Sequence, residues 1–220
     1  MSLYIVPTPI GNLEDITLRA LSTLRHVDLI LCEDTRTSGV LLSHYDIDVP
    51  KKAFHQHNER AIVQDMIQLM KAGQTIALIS DAGTPGISDP GYTLIQACIE
   101  NEISFTVLPG AAAIIPALLL SGFSNHEFLY AGFLPQKKGR KTKWEAIAQE
   151  KRTVVIYESP HRIEKAIVEM QTYLAPEREV AFVREISKMF EQVVRTTVGE
   201  LEQSKEQVKI KGEFVIVIGP

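Results

Sequence analysis

An apolar run, Thr75–Ile79, reads as a buried strand and ends in Ser80-Asp81-Ala82-Gly83-Thr84-Pro85-Gly86-Ile87-Ser88-Asp89-Pro90-Gly91. Beyond it Leu94, Ile95, Cys98 and Ile99 recur at helical spacing. A strand, a glycine-dense loop and a helix, in that order, put the loop at the carboxyl end of a strand, where α/β proteins bind ligands. Glycine permits positive φ and lets backbone approach a ligand closely. Asp89 is placed to cap the helix and Pro90 to stand in its first turn. A purely structural turn would use the same glycines and prolines, but the carboxylate of Asp81 at the strand tip favours a site.

The same alternation runs through the first half of the chain. Leu3–Val6, Val27–Cys32, Lys52–Phe54 and Ser104–Leu108 read as further strands. Helices follow from Asp15 (Ile16, Ala20, Leu21 and Leu24 inward), from Asp34 or Thr35, from Asn58 (Ile62, Met66, Leu69 and Met70 inward) and over Ile114–Leu120. Strand–helix alternation implies a mostly parallel sheet with both faces covered. Residues 122–127 break it and read as a linker, which divides the chain into domains 1–121 and 122–220. The second half has strands at Phe128–Phe133, Thr153–Tyr157, Glu179–Val183, Phe190–Val198 and Gly212–Ile218. One helix enters at Trp144, and another carries Ile163, Ile167, Met170 and Leu174 behind Ser159 and Pro160. Strand runs this close, with no long helix between the last of them, imply antiparallel pairing. The fold class is therefore two α/β domains, the first mostly parallel and the second with a mixed sheet.

Almost every strand ends in polar or glycine-rich residues: Pro7–Asn12, Glu33–Arg36, His55–Glu59, Pro109–Ala113, Glu158–Arg162 and Arg184–Lys188. No Gly-x-Gly-x-x-Gly, P-loop or nucleophile-elbow motif accompanies them, which removes the common dinucleotide, NTPase and serine-hydrolase sites. His55 and His57 have no third ligand nearby in sequence, and no metal is expected. A net charge of −4 excludes a globally nucleic-acid-binding surface, so contact with RNA has to come from a local patch. One such run exists: Lys137, Lys138, Arg140, Lys141 and Lys143, five basic residues in seven. It reads as a solvated loop or as a phosphate clamp. Cys32 and Cys98 each lie in apolar runs, which implies buried free thiols and a reducing compartment, the cytoplasm. The chain opens on a strand, so no signal peptide is expected. Ala111–Leu120 is too short to span a bilayer and contains Pro116, so no membrane partner is expected either.

Taken in order, Pro7–Ile16, Glu33–Arg36, His57–Glu59, Asp81–Gly91, Glu158–Arg162 and Gly212–Phe214 resemble the tetrapyrrole methylase superfamily, in its branch acting on small-subunit ribosomal RNA. The resemblance covers essentially the whole chain, and the Asp81–Gly91 and Glu158–Arg162 strings are specific to that branch. It implies S-adenosylmethionine as methyl donor, bound in a cleft between two α/β domains, commonly in a homodimer. It implies 2′-O-methylation of a cytidine in small-subunit (16S) ribosomal RNA, with that RNA or the small subunit as partner. It places the donor against Pro9, Asp81, Ala82, Gly83, Ile87, Ala111 and Ala112, and near the backbone of Tyr157 and Glu213. Family members often carry a serine where this chain reads Pro109-Gly110-Ala111-Ala112-Ala113, so a hydroxyl contact to the donor is absent here while backbone contacts survive.

Methyl transfer from a sulfonium needs alignment of donor and acceptor, and a ribose hydroxyl also needs a proton acceptor. The candidates are Asp34, Glu158 and Glu185, with Lys188 and Arg184 as electrostatic partners; each would serve equally as a structural ion pair. For RNA the candidates are Arg36, Arg162, Lys137, Lys138, Arg140 and Lys141. Two other functions fit the same chain: a methyltransferase of this fold acting on a tetrapyrrole or other small molecule, and a non-catalytic RNA-binding assembly factor.

Overall fold

The computed structural model describes residues 1–220, apart from the side chain of Lys205. Contacts divide the chain into two units, Met1–Ala112 and Ala113–Pro220.

The first unit holds a five-stranded sheet of β1 (Leu3–Ile5), β2 (Leu29–Cys32), β3 (Lys51–Ala53), β4 (Ile76–Leu78) and β5 (Phe105–Val107). Its order is β3-β2-β4-β1-β5 and every pair is parallel. Side chains alternate across the sheet, as the period of a strand requires. Leu31, Ile76 and Leu78 join Met66 and Ile67 of α3 (Glu59–Lys71) and Leu94 and Cys98 of α4 (Tyr92–Glu100) in one cluster. Ile30, Cys32 and Ala77 join Leu21 and Leu24 of α1 (Leu18–His26) and Leu42 of α2 (Thr35–His44) in another. Burial on both faces is why these strands read as continuous apolar runs. Both cysteines are buried and free.

The helix starts differ in detail from the sequence reading. Thr17, not Asp15, caps α1, its Oγ1 accepting the Ala20 N–H at 3.0 Å. Asp15 ends a separate 3₁₀ turn, Leu13–Asp15, opened by Asn12. Asn58 precedes α3 without capping it; its side chain instead accepts the His55 N–H at 2.8 Å and donates to the Ala53 carbonyl at 2.9 Å, tying the loop after β3. Helix α4 starts only at Tyr92, behind Gly91 at φ 142°, so Asp89 does not cap it.

The second unit holds a mixed sheet in the order β6-β7-β10-β8-β9: β6 (Phe128–Phe133), β7 (Thr153–Glu158), β8 (Glu179–Arg184), β9 (Gln192–Thr197) and β10 (Phe214–Ile218). β6 and β7 are parallel, and the other pairs are antiparallel. Central β10 is buried along its whole length. Trp144 and Ile147 of α6 (Arg140–Gln149) and Ile163, Ile167 and Met170 of α7 (Ile163–Tyr173) pack with Val154, Ile156, Phe182 and Ile216. Helix α5 (Ile114–Ser121) belongs to this unit, although strand–helix alternation assigns it to the first. It packs against β8, β9 and β10 of the second sheet, and a distant side chain ties its end. Arg195 of β9 donates to the Ser121 carbonyl at 2.9 Å and to that of Leu120, satisfying the helix's last carbonyls. Arg178, 8% exposed, does the same for α6 through Ile147 (2.7 Å) and Glu150 (2.9 Å), and also donates to Gly219 at 2.8 Å. Among the described residues, no helix is long and apolar enough to cross a membrane.

Candidate functional site

In a parallel sheet all carboxyl ends share one edge, so the loops after β1 to β5 gather there. Three of them are tied together. Thr8 and Gly83 exchange backbone hydrogen bonds of 2.9 Å in both directions. Thr8 Oγ1 donates to the Ser80 carbonyl at 2.9 Å, and Ser80 Oγ to that of Gly83 at 3.0 Å. Thr84 Oγ1 donates to the Ala111 carbonyl at 3.1 Å. The fifth loop meets the first where Gly110 lies against Pro7: a Cβ there would stand 2.7 Å from the Pro7 Cβ. These bonds bring together the segments carrying Pro9, Asp81, Ala82, Gly83, Ala111 and Ala112. Ile87 is 43% exposed on the same stretch, an apolar side chain left facing outward.

Carboxyl groups crowd this edge. Asp81 accepts the Asp34 N–H at 3.2 Å, joining the tips of β4 and β2. Asp34 caps α2 and holds Arg36 through both oxygens, at 3.2 and 2.7 Å. The Arg36 guanidinium and N–H bring the Asp34 carboxyl down to about 2. Two carboxyls move the other way. Burial first, and then the charge of Asp81, raises Glu33, against the opposing effect of His55. Burial, followed by the charges of Glu33 and Asp81, pushes Asp89 up to about 7. Among the described residues Asp89 has no hydrogen bond or ion pair. Next to these, His55 Nδ1 and Glu59 Oε2 are buried without partners, while Glu59 Oε1 accepts from Thr93 at 3.0 Å.

In the second unit, β6, β7 and β8 run in one direction and β10 in the other. The carboxyl ends of the first three therefore meet the start of β10 at one edge. The sequence-predicted residues of this half gather there, but several are committed to structure. Glu158 is 2% exposed. It accepts from Arg140 at 2.9 Å, from Arg162 Nε at 2.8 Å and from the Ser159 N–H at 2.8 Å. Arg140, 3% exposed, also pairs with Glu169 at 2.8 Å, and Glu169 accepts Trp144 Nε1 at 2.9 Å. Two assignments change as a result. Glu158 is buried, with both carboxyl oxygens engaged by Arg140, Arg162 and the Ser159 N–H. Arg140 faces inward from the first turn of α6, away from the solvent an RNA would approach through, whereas Lys137, Lys138, Lys141 and Lys143 stay exposed.

Glu185 and Lys188 form a second network. Glu185 Oε1 accepts from Lys188 at 3.1 Å and from the Glu213 N–H at 2.9 Å, and Lys188 reaches Glu213 Oε2 at 3.0 Å. Burial alone would raise the Glu185 carboxyl; the Glu213 N–H and the Lys188 ammonium outweigh it and hold it below the usual range. Gly212, at φ +91°, admits this contact, since a Cβ there would lie 2.5 Å from Glu185 Cδ. Arg184, 6% exposed, donates to the Lys211 carbonyl and to that of Phe190 at 3.0 Å, so it is a structural clamp. Tyr157 is half-buried, its ring 5.3 Å from that of Tyr130 and 5.4 Å from that of Phe133. Sequence reasoning missed Asp89 because its spacing also suits a helix cap. Only the helix start at Tyr92 frees it.

Two α/β units, one parallel and one mixed, each with its polar loops on one sheet edge, are the architecture of methyltransferases of the tetrapyrrole methylase kind. The fold is similar to that of uroporphyrin-III C-methyltransferase from Thermus thermophilus complexed with S-adenosylhomocysteine, with a TM-score of 0.67 and 18% identity over 100% of this chain and 97% of that one. The sequence is 49% identical to the ribosomal RNA small subunit methyltransferase I of Haemophilus influenzae over 98% of this chain and 77% of that protein. It is 43% identical to the protein of that name from Hydrogenobaculum, over 99% and 95%. The family described as Tetrapyrrole (Corrin/Porphyrin) Methylases matches residues 2–202. The chain belongs to the tetrapyrrole methylase family, and within it to the ribosomal RNA small subunit methyltransferase I family.

Proposed function

We propose that this chain transfers a methyl group from S-adenosylmethionine to the 2′-hydroxyl of a cytidine in small-subunit ribosomal RNA, acting in the cytoplasm as a homodimer. The observation that carries the reading is the similarity, over 98% and 99% of this chain, to relatives named ribosomal RNA small subunit methyltransferase I. The residues fit such a donor. Backbone that glycine brings close, the outward Ile87 and the carboxyls of Glu33 and Asp81 suit a ligand with an apolar body and positive charge. Pro9, Asp81, Ala82, Gly83, Ile87, Ala111 and Ala112 would hold it, with Tyr157 and Glu213 assigned to it by resemblance.

When bound, the donor supplies a methyl already activated on a sulfonium. The chain has to orient the acceptor and take the hydroxyl proton as the new O–C bond forms. Of the carboxyls first considered, Glu158 is buried in salt bridges, and Asp34 and Glu185 are held below their usual range. A proton acceptor works best with a pKa near the operating pH. Asp89 meets that condition, is free of partners among the described residues and lies in the donor loop. It takes the base role, and Lys188 remains a positioning group through Glu185 and Glu213.

The test is transfer of labelled methyl to naked ribosomal RNA, isolated small subunits and assembled ribosomes, followed by nucleoside analysis for 2′-O-methylcytidine. No transfer to any of the three would overturn the reading; transfer to a porphyrin-like acceptor instead would establish the small-molecule alternative. Light scattering of the purified chain checks the dimer. Two further outcomes are expected. Gly110→Ala should weaken S-adenosylmethionine binding by about tenfold in calorimetry, because its methyl must push the Pro7 and Ala111 loops apart, a strain of roughly 1–3 kcal/mol. Neutralising Lys137, Lys138 and Lys141 together should weaken RNA binding and flatten its salt dependence with donor affinity unchanged; equal binding at every salt concentration would remove the clamp.

A further inference from the structure

The same edge of the second unit carries a pocket of about 320 Å³. It is lined by Pro160, His161, Glu164, Ile210, Lys211 and Gly212. Its two walls are fixed from behind. One is the turn Pro160–Arg162 leading into α7, anchored where Arg162 meets the buried Glu158 at 2.8 Å. The other is the approach to β10, pinned where Arg184 donates to the Lys211 carbonyl and where Gly212 lets the chain lie against Glu185. Buried groups therefore hold the backbone of the pocket, while the side chains of His161, Glu164 and Lys211 remain exposed and uncommitted to that scaffold.

We infer that this pocket receives one nucleotide of the RNA flanking the methylated residue, its phosphate on Lys211 and His161 and its base over Pro160 and Ile210. The inference rests on the RNA-methylating function proposed above. Size agrees: small-ligand sites span roughly 300–1,000 Å³, and this one lies at the lower end, room for a single nucleotide and not a stacked pair. The chemistry agrees as well. Two cationic or hydrogen-bond-donating side chains stand beside two apolar ones, which is how proteins bind splayed single-stranded RNA, a phosphate on basic groups and a base face on apolar surface. Glu164 is acceptor-only when ionised and suits an exocyclic amine or a ribose hydroxyl. It also disfavours a bare phosphate that lacks such a donor. The first turn of α7 adds its positive end to the phosphate side.

The test compares the wild type with His161→Ala, Lys211→Ala and the double variant, using a fluorescein-labelled fragment of small-subunit ribosomal RNA that the wild type methylates. The double variant should bind this fragment about tenfold more weakly, with a shallower salt dependence and a higher KM for RNA. S-adenosylmethionine affinity by calorimetry should stay within twofold. Scanning abasic nucleotides through the fragment should reveal one flanking position that weakens the wild type but not an Ile210→Ala variant. The side chains of His161 and Lys211 are both exposed, and unchanged thermal unfolding would confirm that their removal leaves the fold intact. Wild-type RNA affinity in the double variant would overturn the inference while leaving the function standing. A loss confined to the donor would overturn it by assigning the pocket to the donor. A wild type that methylates no RNA would take down both.

Discussion

Asp89→Asn should cut methyl transfer by roughly 100- to 10,000-fold, the range by which a positioned general base accelerates proton removal. S-adenosylmethionine and RNA should still bind, because asparagine keeps the shape and loses only the basic oxygen. The wild-type rate should rise with pH and level off above about 7, since the carboxylate is the active form and burial beside Glu33 and Asp81 has raised its pKa to about 7. In the variant that rise should be gone. Stability should move the opposite way. A carboxyl whose pKa is raised on folding makes the folded state bind more protons than the unfolded one, so its stability cost grows as pH rises from about 4 and is complete above about 7. Asparagine removes that cost, and Asp89→Asn should therefore melt higher than the wild type at pH 8. The difference should shrink as pH falls toward 4. A variant that is slower and more stable only at neutral and alkaline pH is the signature of a strained functional carboxyl. Unaltered transfer, or an intact pH profile in the variant, would remove Asp89 from the chemistry.

Glu158→Ala should be the most destabilising single change in the second unit. It leaves Arg140, 3% exposed, with only Glu169 as a charged partner and strips Arg162 of its anchor. Breaking a buried pair on one side costs roughly 3–5 kcal/mol. Urea unfolding should show the midpoint falling, and Arg140→Ala should lose a similar amount. Double replacement should cost less than the sum, since one network is lost only once. Lys137→Ala, a few residues from Arg140 in the same basic run, should leave the midpoint unchanged. Equal stability of Glu158→Ala and wild type would return Glu158 to the list of free carboxylates.

These contrasts show what could be read along the chain. Alternation of apolar runs with helical spacing was enough for the parallel sheet, because strands buried on both faces carry that pattern locally. Closely spaced strand runs were likewise enough for the antiparallel pairs of the second sheet. The glycine- and proline-rich string from Asp81 to Gly91 marked a strand-tip loop for the same reason: such loops need special φ at fixed positions.

The partners of charged side chains were not legible. Arg140 and Lys137 look alike in a basic run, yet one is buried against Glu158 and Glu169 and the other lies in solvent. Helix α5 reads along the chain as the close of the first domain, yet Arg195, 74 residues beyond Ser121, holds its end in the second unit. Asp89 looked like a cap until the helix began at Tyr92. By itself the sequence determined the elements, their order and which strand tips bear polar residues, since these follow from local periodicity and backbone preference. Tertiary structure alone decided which carboxylates are spent in ion pairs and which ones burial and neighbouring charge raise above their usual range. Charge pairing and desolvation depend on distances between residues remote in sequence.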